Sequence, residues 1–362
     1  MKVKIGELTK IRTGKLDANA ASLDGEYPFF TCSKEPLRIS TYAYDCECVL
    51  VAGNGDLNVK YYNGKFNAYQ RTYIIEDNGS GKLYMPYLYY YMCMYVEELR
   101  KQAIGGVIKY IKLENLTNAL IEIPELEKQK VIVGKLSKLK GIIDNKKNQM
   151  AKIDDLVKAR FVELFGDTVL NPFGWEKELL GTICDVRDGT HDSPQYFNIG
   201  FPLVTSKNVT GGIIDLTDCS LICEKDYNKI NERSKVDIGD IIMPMIGTVG
   251  KPVIVDIEPN FAIKNVSLIK FKSDSKVLNI YIRALLQSDY FDDAVLSKVR
   301  GGTQKFISLG DIRKLEILVP PLELQEQFAA FVEQSDKSKA AVQKSLDKLQ
   351  TLFDKLMQEY FG

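Results

Sequence analysis

Two stretches of the chain place apolar residues at alternating steps of four and three positions. This spacing averages 3.5 residues per helical turn, which is the seam of a coiled coil. The apolar seam positions are Ile132, Leu136, Leu139, Ile143, Met150, Ile153 and Val157 in the first stretch, and Val342, Leu346, Leu349, Phe353 and Leu356 in the second. Prolines come just before each stretch, where the start of a helix tolerates them. The pattern predicts two long helices, over residues 123–166 and 319–362.

Polar residues interrupt both seams at Lys146, Arg160, Ser335 and Lys339. We interpret them as side chains that extend into solvent or lie near frayed helix ends. The alternative is that they fix the register of the two helices, as single polar seam residues can. For the seam as a whole, the alternative is that each long helix packs back on its own globular part.

The residues outside the two long helices form strand-like runs. The segments CVLVAG, RTYIIE, DIIMPMIG, KPVIVDI and VSLIKFK are rich in β-branched residues and are bounded by Gly, Pro and Asn. One helix is predicted within each globular part, around MPYLYYYMCMYVEELRKQ and VLNIYIRALLQSDYFDDAV. Each part is therefore predicted to be mostly β, with an α+β fold for the chain.

An internal repeat relates the two halves. GGVIKYIKLENLTNALIEIPELEKQ begins at Gly105 and GGTQKFISLGDIRKLEILVPPLELQ begins at Gly301; 10 of their 25 positions are identical without a gap, at an offset of 196 residues. Upstream, YPFFTCSK aligns with FPLVTSKN. A repeat of this kind indicates a duplicated unit. We predict globular domains over 1–122 and 167–318, each followed by one of the long helices.

Composition changes this picture little. The chain has 362 residues, no net charge and an odd number of cysteines, seven. That cysteine count, without paired C-x-x-C spacing, disfavours a disulfide framework or a zinc ribbon and indicates reduced thiols. The start MKVKIGELTK lacks the apolar core of a signal peptide, and no apolar run reaches the roughly 18 residues of a membrane span. The expected location is the cytoplasm, without a membrane partner.

The motifs of common catalytic sites are missing from the sequence. No Gly-Lys pair precedes Ser or Thr as a Walker A motif requires, and NPFGW lacks the second proline of an adenine-methyltransferase motif. His191 is the only histidine, so a multi-histidine metal site is excluded. We interpret His191 as a surface or hydrogen-bonding residue rather than an acid–base group. We predict no catalytic residue, no metal site and no cofactor in this chain.

Recognition is the function class that remains. Paired glycines in GGVIKY and GGTQKF let the backbone approach a partner closely, although a glycine turn before a strand explains them equally well. Basic and polar side chains there could contact phosphates or base edges. The DNA-binding candidates are Lys109, Arg300, Thr303, Gln304 and Lys305 near these loops, and Thr190, His191, Lys207 and Asn208 in the DGTH and TSKN phrases.

The chain resembles the DNA-specificity subunit of type I restriction–modification systems. The phrases that carry the resemblance are IPELEKQKVIVGKL, VPPLELQEQFAAFV, GWEKELLGTICDVRDGTHDSPQY and FPLVTSKNVTGGIIDL. The first copy departs from it, because Glu125 stands where the second copy has Pro321 and no Gly-Thr-His follows Gly14. The resemblance implies two target recognition domains, two antiparallel spacer helices and a pseudo-twofold arrangement.

The resemblance also implies a function and partners. Each domain would bind one half of a split site on double-stranded DNA, and the helices would set the gap and dock two methyltransferase subunits. Those subunits would use S-adenosylmethionine to methylate adenine N6, and restriction subunits would add ATP- and Mg-dependent cleavage. The alternatives are a coiled-coil scaffold that does not bind DNA, and a DNA methyltransferase or nuclease with an unrecognised active site.

Overall fold

The structure, a computed structural model, describes residues 2–245, 251–294 and 307–362. The chain forms two compact units, Met1–Asn148 with Val342–Gly362, and Gln149–Ala341. Both boundaries fall inside the long helices. Each unit therefore contains one globular head, the first part of one long helix and the last part of the other.

The first unit is built around a six-stranded sheet with the strand order β2-β7-β5-β6-β3-β4. Its elements are β1 Lys2–Lys4, α1 Ile5–Leu8, β2 Thr9–Thr13, β3 Tyr27–Phe30, β4 Leu37–Ile39, β5 Tyr44–Ala52, β6 Val59–Ala68, β7 Thr72–Asp77, α2 Met85–Gln102, α3 Leu113–Thr117 and β8 Leu120–Glu122, followed by the long helix α4 Leu126–Phe165. Neighbouring strands are antiparallel except β3 and β6, which run parallel with Phe30 opposite Ala68. The helix predicted within this head is confirmed as α2.

The second unit repeats this plan with a broken sheet. Its elements are β9 Glu176–Leu179, α5 Leu180–Ile183, β10 Asp185–Asp188, β11 Phe201–Val204, β12 Val209–Thr210, β13 Ile213–Ile214, β14 Ser220–Ile222, α6 Glu224–Ser234, β15 Ile241–Pro244, β16 Val253–Ile254, β17 Ala262–Ile263, β18 Val266–Lys270, α7 Asn279–Leu286, α8 Asp289–Ala294, α9 Leu309–Arg313, β19 Glu316–Val319 and the long helix α10 Leu322–Phe361. The orders β10-β18-β15-β16 and β14-β11-β17 match the two halves of the first sheet, with β16 and β17 in the place of β6. The helix predicted within this head is present as α7 and α8.

The two long helices run antiparallel where they meet in the first unit. Tyr87, near the start of α2, donates its hydroxyl hydrogen to the Glu122 carbonyl (3.0 Å) and packs on Phe361, with ring centroids 5.0 Å apart. One turn later, Tyr90 pairs with Ser137 Oγ (3.0 Å) and lies 6.4 Å from the ring of Phe353. From Tyr87 to Tyr90, the contacted residue numbers rise on the α4 side and fall on the α10 side, so the two helices run in opposite directions.

The second unit shows the same antiparallel packing. Phe161 and Phe165 of α4 pack edge-on against Phe328 of α10, with ring centroids 5.5 Å apart in both pairs. Nearer the middle of the helices, Asp154 forms an ion pair with Lys339. The alternative in which each long helix packs only on its own head is wrong, because residues 342–362 belong to the first unit and residues 149–165 to the second.

The predicted seam faces inward in both helices. Ile132, Leu136, Leu139 and Ile143 are buried, as is Val342. The other seam residues are half-buried: Met150, Ile153 and Val157 in α4, and Leu346, Leu349, Phe353 and Leu356 in α10. At the end of α4, Gly166 adopts a left-handed conformation (φ 79°) and its N–H donates to the Val162 carbonyl (2.8 Å), a glycine C-cap.

Candidate nucleic-acid interface

A short hairpin loop projects from the first head. We call residues 105–109 the first finger. Ile104 and Tyr110, at its base, exchange both backbone hydrogen bonds (3.0 and 2.8 Å). Gly105 lies at φ 118°, and a Cβ there would come within 2.6 Å of the Ile108 carbonyl oxygen, so this turn requires glycine. The finger is thus a closed, narrow hairpin, and Lys109 lies exposed on its returning arm.

The base of the finger is fixed to the core of the head. The N–H of Ile111 donates to the Gly53 carbonyl (2.9 Å), and the N–H of Gly55 donates to the Lys109 carbonyl (2.9 Å). The Tyr73 hydroxyl donates to the Ile111 carbonyl (3.1 Å). Burial raises the pKa of Tyr73, so its hydroxyl stays a neutral donor. These bonds position the finger without using the side chains at its tip.

The second head carries the same anchor. The N–H of Ile307 donates to the Met245 carbonyl (3.0 Å), and Ile307 is the residue that aligns with Ile111 in the repeat. The candidates Arg300, Thr303, Gln304 and Lys305 lie outside the described residues. The bond of Ile307 nevertheless shows that the chain after residue 306 starts at the same point of the sheet as the chain after the first finger.

Basic side chains surround the first finger. Arg71 is exposed, and its carbonyl accepts a hydrogen bond from the N–H of Gly53 (2.8 Å) at the finger's anchor. Lys60 lies in the same region, bonded to Asn58, and burial lowers its pKa. The nearby carboxylate Asp56 is already shared between Lys34 (3.6 Å) and Arg100 (3.3 Å). Glu97 also pairs with Arg100, and Glu35 acts on Lys60, so carboxylates share this region with the cations. Arg71 and Lys109 are the exposed cations that we consider for phosphate contacts.

In the second head, Thr190 and His191 lie at the carboxyl ends of two parallel strands. Thr190 bridges to Lys264 just after β17, and Lys264 donates its N–H to the Val204 carbonyl at the end of β11 (2.9 Å). The loop after β10 and the ends of β11 and β17 thus meet at one edge. The TSKN phrase begins immediately after β11, so the topology brings Lys207 and Asn208 to this edge as well.

His191 is exposed and held by both ring nitrogens. Its Nε2 lies 2.8 Å from Asp188 Oδ2 and its Nδ1 lies 2.9 Å from Asn265 Oδ1. Asp188 also pairs with Arg233. Beside this network, the buried Lys264 donates from its ammonium to Ser193 Oγ (2.7 Å). The histidine is therefore oriented by its neighbours, as the surface interpretation of the sequence expects.

Lys207 and Asn208 occupy different environments although they are adjacent. Lys207 is exposed. Asn208 is buried, and its Oδ1 accepts hydrogen bonds from the backbone N–H and the hydroxyl of Thr205 (3.0 Å each). Asn208 thereby closes the turn that presents Lys207.

Two glutamines that the sequence reasoning missed join each long helix to its head. Gln129 Oε1 accepts from the Tyr84 N–H (2.9 Å), and its Nε2 donates to the carbonyls of Lys82 (2.7 Å) and Pro124 (2.9 Å). Gln325 makes the same three bonds with Leu278, Lys276 and Pro320, at 2.8, 3.0 and 2.8 Å. The repeat pairs the two glutamines at its offset of 196 residues, but the sequence does not show which groups they bond.

Metal chemistry finds no support in the part of the chain that the structure describes. Within residues 2–245, 251–294 and 307–362, no group of three or more His, Cys, Asp or Glu side chains is placed to hold a metal ion. Nor does any described helix combine the length and apolar character of a membrane span.

Comparison with known proteins identifies the family. The model of the type I restriction modification DNA specificity domain matches residues 1–154 and 172–351. The chain belongs to this family. The two matches follow the internal repeat, one for each head with most of its long helix.

Among relatives in this family, the type I restriction enzyme EcoDI specificity subunit of Escherichia coli is 39% identical over 156 residues. That match covers 43% of this chain and 34% of the relative, so it spans about a third of the relative's length. The MjaVIII specificity subunit of Methanocaldococcus jannaschii is 24% identical over 389 residues, covering 97% of this chain and 91% of the relative.

Solved structures agree on the fold. The S subunit of a type I restriction–modification system from M. genitalium matches with a TM-score of 0.64 at 18% identity, covering 100% of this chain and 96% of that one. A second structure, from work on complex assembly and conformational transition of the type I system, matches with a TM-score of 0.56 at 17% identity. The predicted α+β fold of two similar mostly-β heads and two long antiparallel helices is confirmed.

Proposed function

We propose that this chain is the sequence-specific DNA-binding subunit of a type I restriction–modification complex and has no catalytic activity of its own. Each head binds one half of a split DNA site, and the two long helices set the gap between the halves. The domain limits for this role are 1–122 and 167–318 for the heads, and 123–166 and 319–362 for the spacers. The subunit acts in the cytoplasm, where its DNA is.

The observation that carries this proposal is the duplicated anchor. Ile111, which follows the first finger, and Ile307, its counterpart in the repeat, bond to equivalent points of two similar heads. A bipartite DNA site needs two similar binding modules, each meeting the duplex with its own contacts. The sequences before these two residues differ, with Val107 and Ile108 in the first copy of the repeat and Thr303 and Gln304 in the second. Two similar modules that differ in sequence at these positions suit two different half-sites.

Electrostatics fits this role. The chain as a whole has no net charge, so it is not a general polyanion binder. The exposed Arg71, Lys109 and Lys207 lie on the two candidate edges instead. Phosphate contacts from such residues supply affinity, while contacts with base edges supply sequence preference. Lys109, Arg300, Thr303, Gln304 and Lys305 are proposed contacts, together with Thr190, His191 and Lys207, and Asn208 supports Lys207.

Catalysis belongs to partner subunits in this proposal. Two methyltransferase subunits dock on the long helices, bind S-adenosylmethionine and methylate adenine. Restriction subunits bring ATP and Mg for cleavage. This division of labour agrees with the missing catalytic motifs of the sequence.

The test is selection from a random duplex library by the chain together with its methyltransferase partner. We expect a split motif with a fixed gap. In a second round, residues 167–318 are replaced by the corresponding head of another family member, and one half of the motif should change while the other half and the gap persist. Loss of selection, or a change in both halves, would show that the heads are not independent DNA-binding modules.

A separate variant tests the spacer. Deleting one heptad from each long helix, residues 139–145 together with 335–341, keeps the 3.5-residue seam in phase. We expect the selected motif to keep both half-sites and to change its gap. If the gap stays the same, the length of the helices does not set it. The proposed spacer role is then wrong, whether or not the heads bind DNA as proposed.

A further inference from the structure

The tip of the first finger presents apolar side chains to solvent. Val107 is fully exposed (104% of its reference area) and Ile108 is 62% exposed. Single exposed apolar residues are common on protein surfaces. Two adjacent β-branched residues at the end of a closed, anchored hairpin are a more specific feature. Neither belongs to the core cluster of the head, whereas the base of the hairpin is held by backbone bonds, a tyrosine hydroxyl bond and the buried side chain of Ile111.

Resting on the proposed function, we infer that Val107 and Ile108 contact the C5-methyl group of a thymine in the major groove of the first head's half-site. The major groove, about 12 Å wide, admits a two-stranded ribbon and is the groove in which the thymine methyl is displayed. Apolar side chains distinguish thymine there by its methyl group. The first finger has both the hairpin form and the apolar tip that this contact needs.

The charges near the finger favour DNA as the partner of the tip. Lys109 on the finger and Arg71, whose carbonyl bonds the anchor residue Gly53, are both exposed. Asp56 pairs with Lys34 and Arg100, and Arg100 also pairs with Glu97. An apolar tip near exposed cations matches a duplex, in which phosphates flank the groove and methyl groups lie inside it.

The second copy of the repeat differs in sequence at the positions of the first finger's tip. Thr303 and Gln304 stand where the first finger has Val107 and Ile108. Glutamine typically pairs with adenine N6 and N7 through hydrogen bonds, and the thymine methyl adds nothing to such a pair. Threonine also carries a methyl group that can contact a thymine methyl, so the inference is confined to the half-site of the first head.

The experiment uses the complex of this chain with its methyltransferase partner and a duplex carrying the selected split motif. Each thymine in the motif is replaced in turn by deoxyuridine, which removes only the C5-methyl group. Competition binding should show about a fourfold loss at one thymine of one half-site, the effect of about one buried methyl group. The variant Val107→Ser/Ile108→Ser should bind the thymine and uracil duplexes equally.

The matched control is Leu120→Ser. Leu120 is 52% exposed and lies on β8 of the same head, which pairs with β1 and not with the finger. This variant should keep the fourfold discrimination. If no uracil substitution weakens binding, or if the finger variant still discriminates, the methyl contact is wrong. If the complex selects no split motif at all, the proposed function itself has failed.

Discussion

The two heads share a frame and differ at the edges proposed to face DNA. In the frame, Gln129 and Gln325 make the same three hydrogen bonds, and Tyr87 and Tyr281 both donate to a carbonyl of the strand before a long helix, at 3.0 and 2.8 Å. All of these partners are backbone groups. A hydrogen bond to the backbone does not depend on the identity of the surrounding side chains. Such bonds are therefore kept while the sequence of the rest of the head changes.

The edges differ in side-chain chemistry. In the second head, Asp188 joins His191 and Arg233 in a polar network. The repeat places Thr13 at the position of Asp188, so the first head lacks the carboxylate that joins this network. The comparison shows that the two copies share the hydrogen bonds that position their loops and differ in the side chains that those loops expose. Each prediction below tests one side of this division.

The largest expected effect concerns the shared glutamines. Gln129→Leu and Gln325→Leu each leave one N–H and two carbonyls without their side-chain partner, and a missing partner costs about 1–3 kcal/mol where the group is kept from water. We expect each variant to destabilise its own head by about 3 kcal/mol or more. Hydrogen exchange should speed up locally, around residues 82–84 for Gln129 and 276–278 for Gln325.

The control for this pair is Gln334→Leu, at an exposed position of α10. It should leave exchange in both heads unchanged. Equal effects of the two buried variants support a common frame. An effect of Gln129→Leu much smaller than that of Gln325→Leu would mean that the first head relies on other contacts, and the comparison would fail at its strongest point.

The next effect concerns two glycines where backbones approach closely. A Cβ at Gly14 would lie 2.2 Å from the Ala68 carbonyl oxygen, and one at Gly189 would lie 2.4 Å from the Ile263 carbonyl oxygen. Backbone atoms cannot rotate away, so Gly14→Ala and Gly189→Ala should each destabilise the head by about 2–3 kcal/mol. Thermal melts of both variants should shift downward by similar amounts.

Gly134→Ala is the matched control, because nothing lies within 4 Å of a Cβ at this position of α4. Alanine there should stabilise the helix by about 1 kcal/mol, the difference in helix propensity. A loss of stability at Gly14 and Gly189 together with a gain at Gly134 would distinguish the effect of close packing from that of helix propensity. A neutral result at Gly14 or Gly189 would contradict the close approach.

Much of this fold could be predicted because its signals are periodic or repeated. The long helices were predicted at 123–166 and 319–362, and α4 and α10 run Leu126–Phe165 and Leu322–Phe361. A 3.5-residue seam over about ten helical turns has no other common explanation. The duplication likewise follows from identity at a constant offset.

Other features could not be predicted, because their causes lie in tertiary contacts. Asn63-Gly64 is a sequence typical of a hairpin turn. It lies inside β6 instead, with Gly64 opposite Cys46. Asn208 was a DNA-binding candidate as a polar residue of the TSKN phrase. It is buried instead, because its side-chain amide closes a turn. Gln129 and Gln325 look like ordinary polar residues of a first helical turn until the carbonyls they meet are known.

A smaller effect tests a contact found in the second head and missing from the first. Asp188→Asn removes the charge that holds Arg233 and His191. A hydrogen bond to a charged group contributes about 1.5–3 kcal/mol, so we expect a loss of about 1–2 kcal/mol in the second head after relaxation. Thr13→Val, at the equivalent exposed position, should change stability by less than about 0.5 kcal/mol.

Hydrogen exchange measured across both heads would separate these outcomes. Faster exchange around residues 188–191 and 233 alone agrees with a network confined to the second head. If Asp188→Asn and Thr13→Val had equal effects, the polar network would add no stability to the second head. The two edges would then differ only in the sequences that precede their anchors.

The smallest effect lies in the seam, at one of the pairs in which the two units differ. Lys339 and Asp154 form an ion pair in the second unit, and their counterparts in the repeat are Ile143 and Gln350. The Asp154 side chain is 57% exposed. A double-mutant cycle of Asp154→Ala and Lys339→Ala should therefore give a coupling of about 0.5 kcal/mol, the value typical of exposed pairs.

The size of this coupling decides how the polar seam positions act. A value near 0.5 kcal/mol agrees with a lysine that extends toward solvent, and the exposed pair Lys337–Glu333 should then give a similar number in its own cycle. A coupling above about 2 kcal/mol would instead make Lys339 a residue that fixes the register. Ile143 is buried at the equivalent position, so the first unit would then be packed by apolar contact and the second aligned by charge. The division between a shared frame and variable edges would have to extend into the helices themselves.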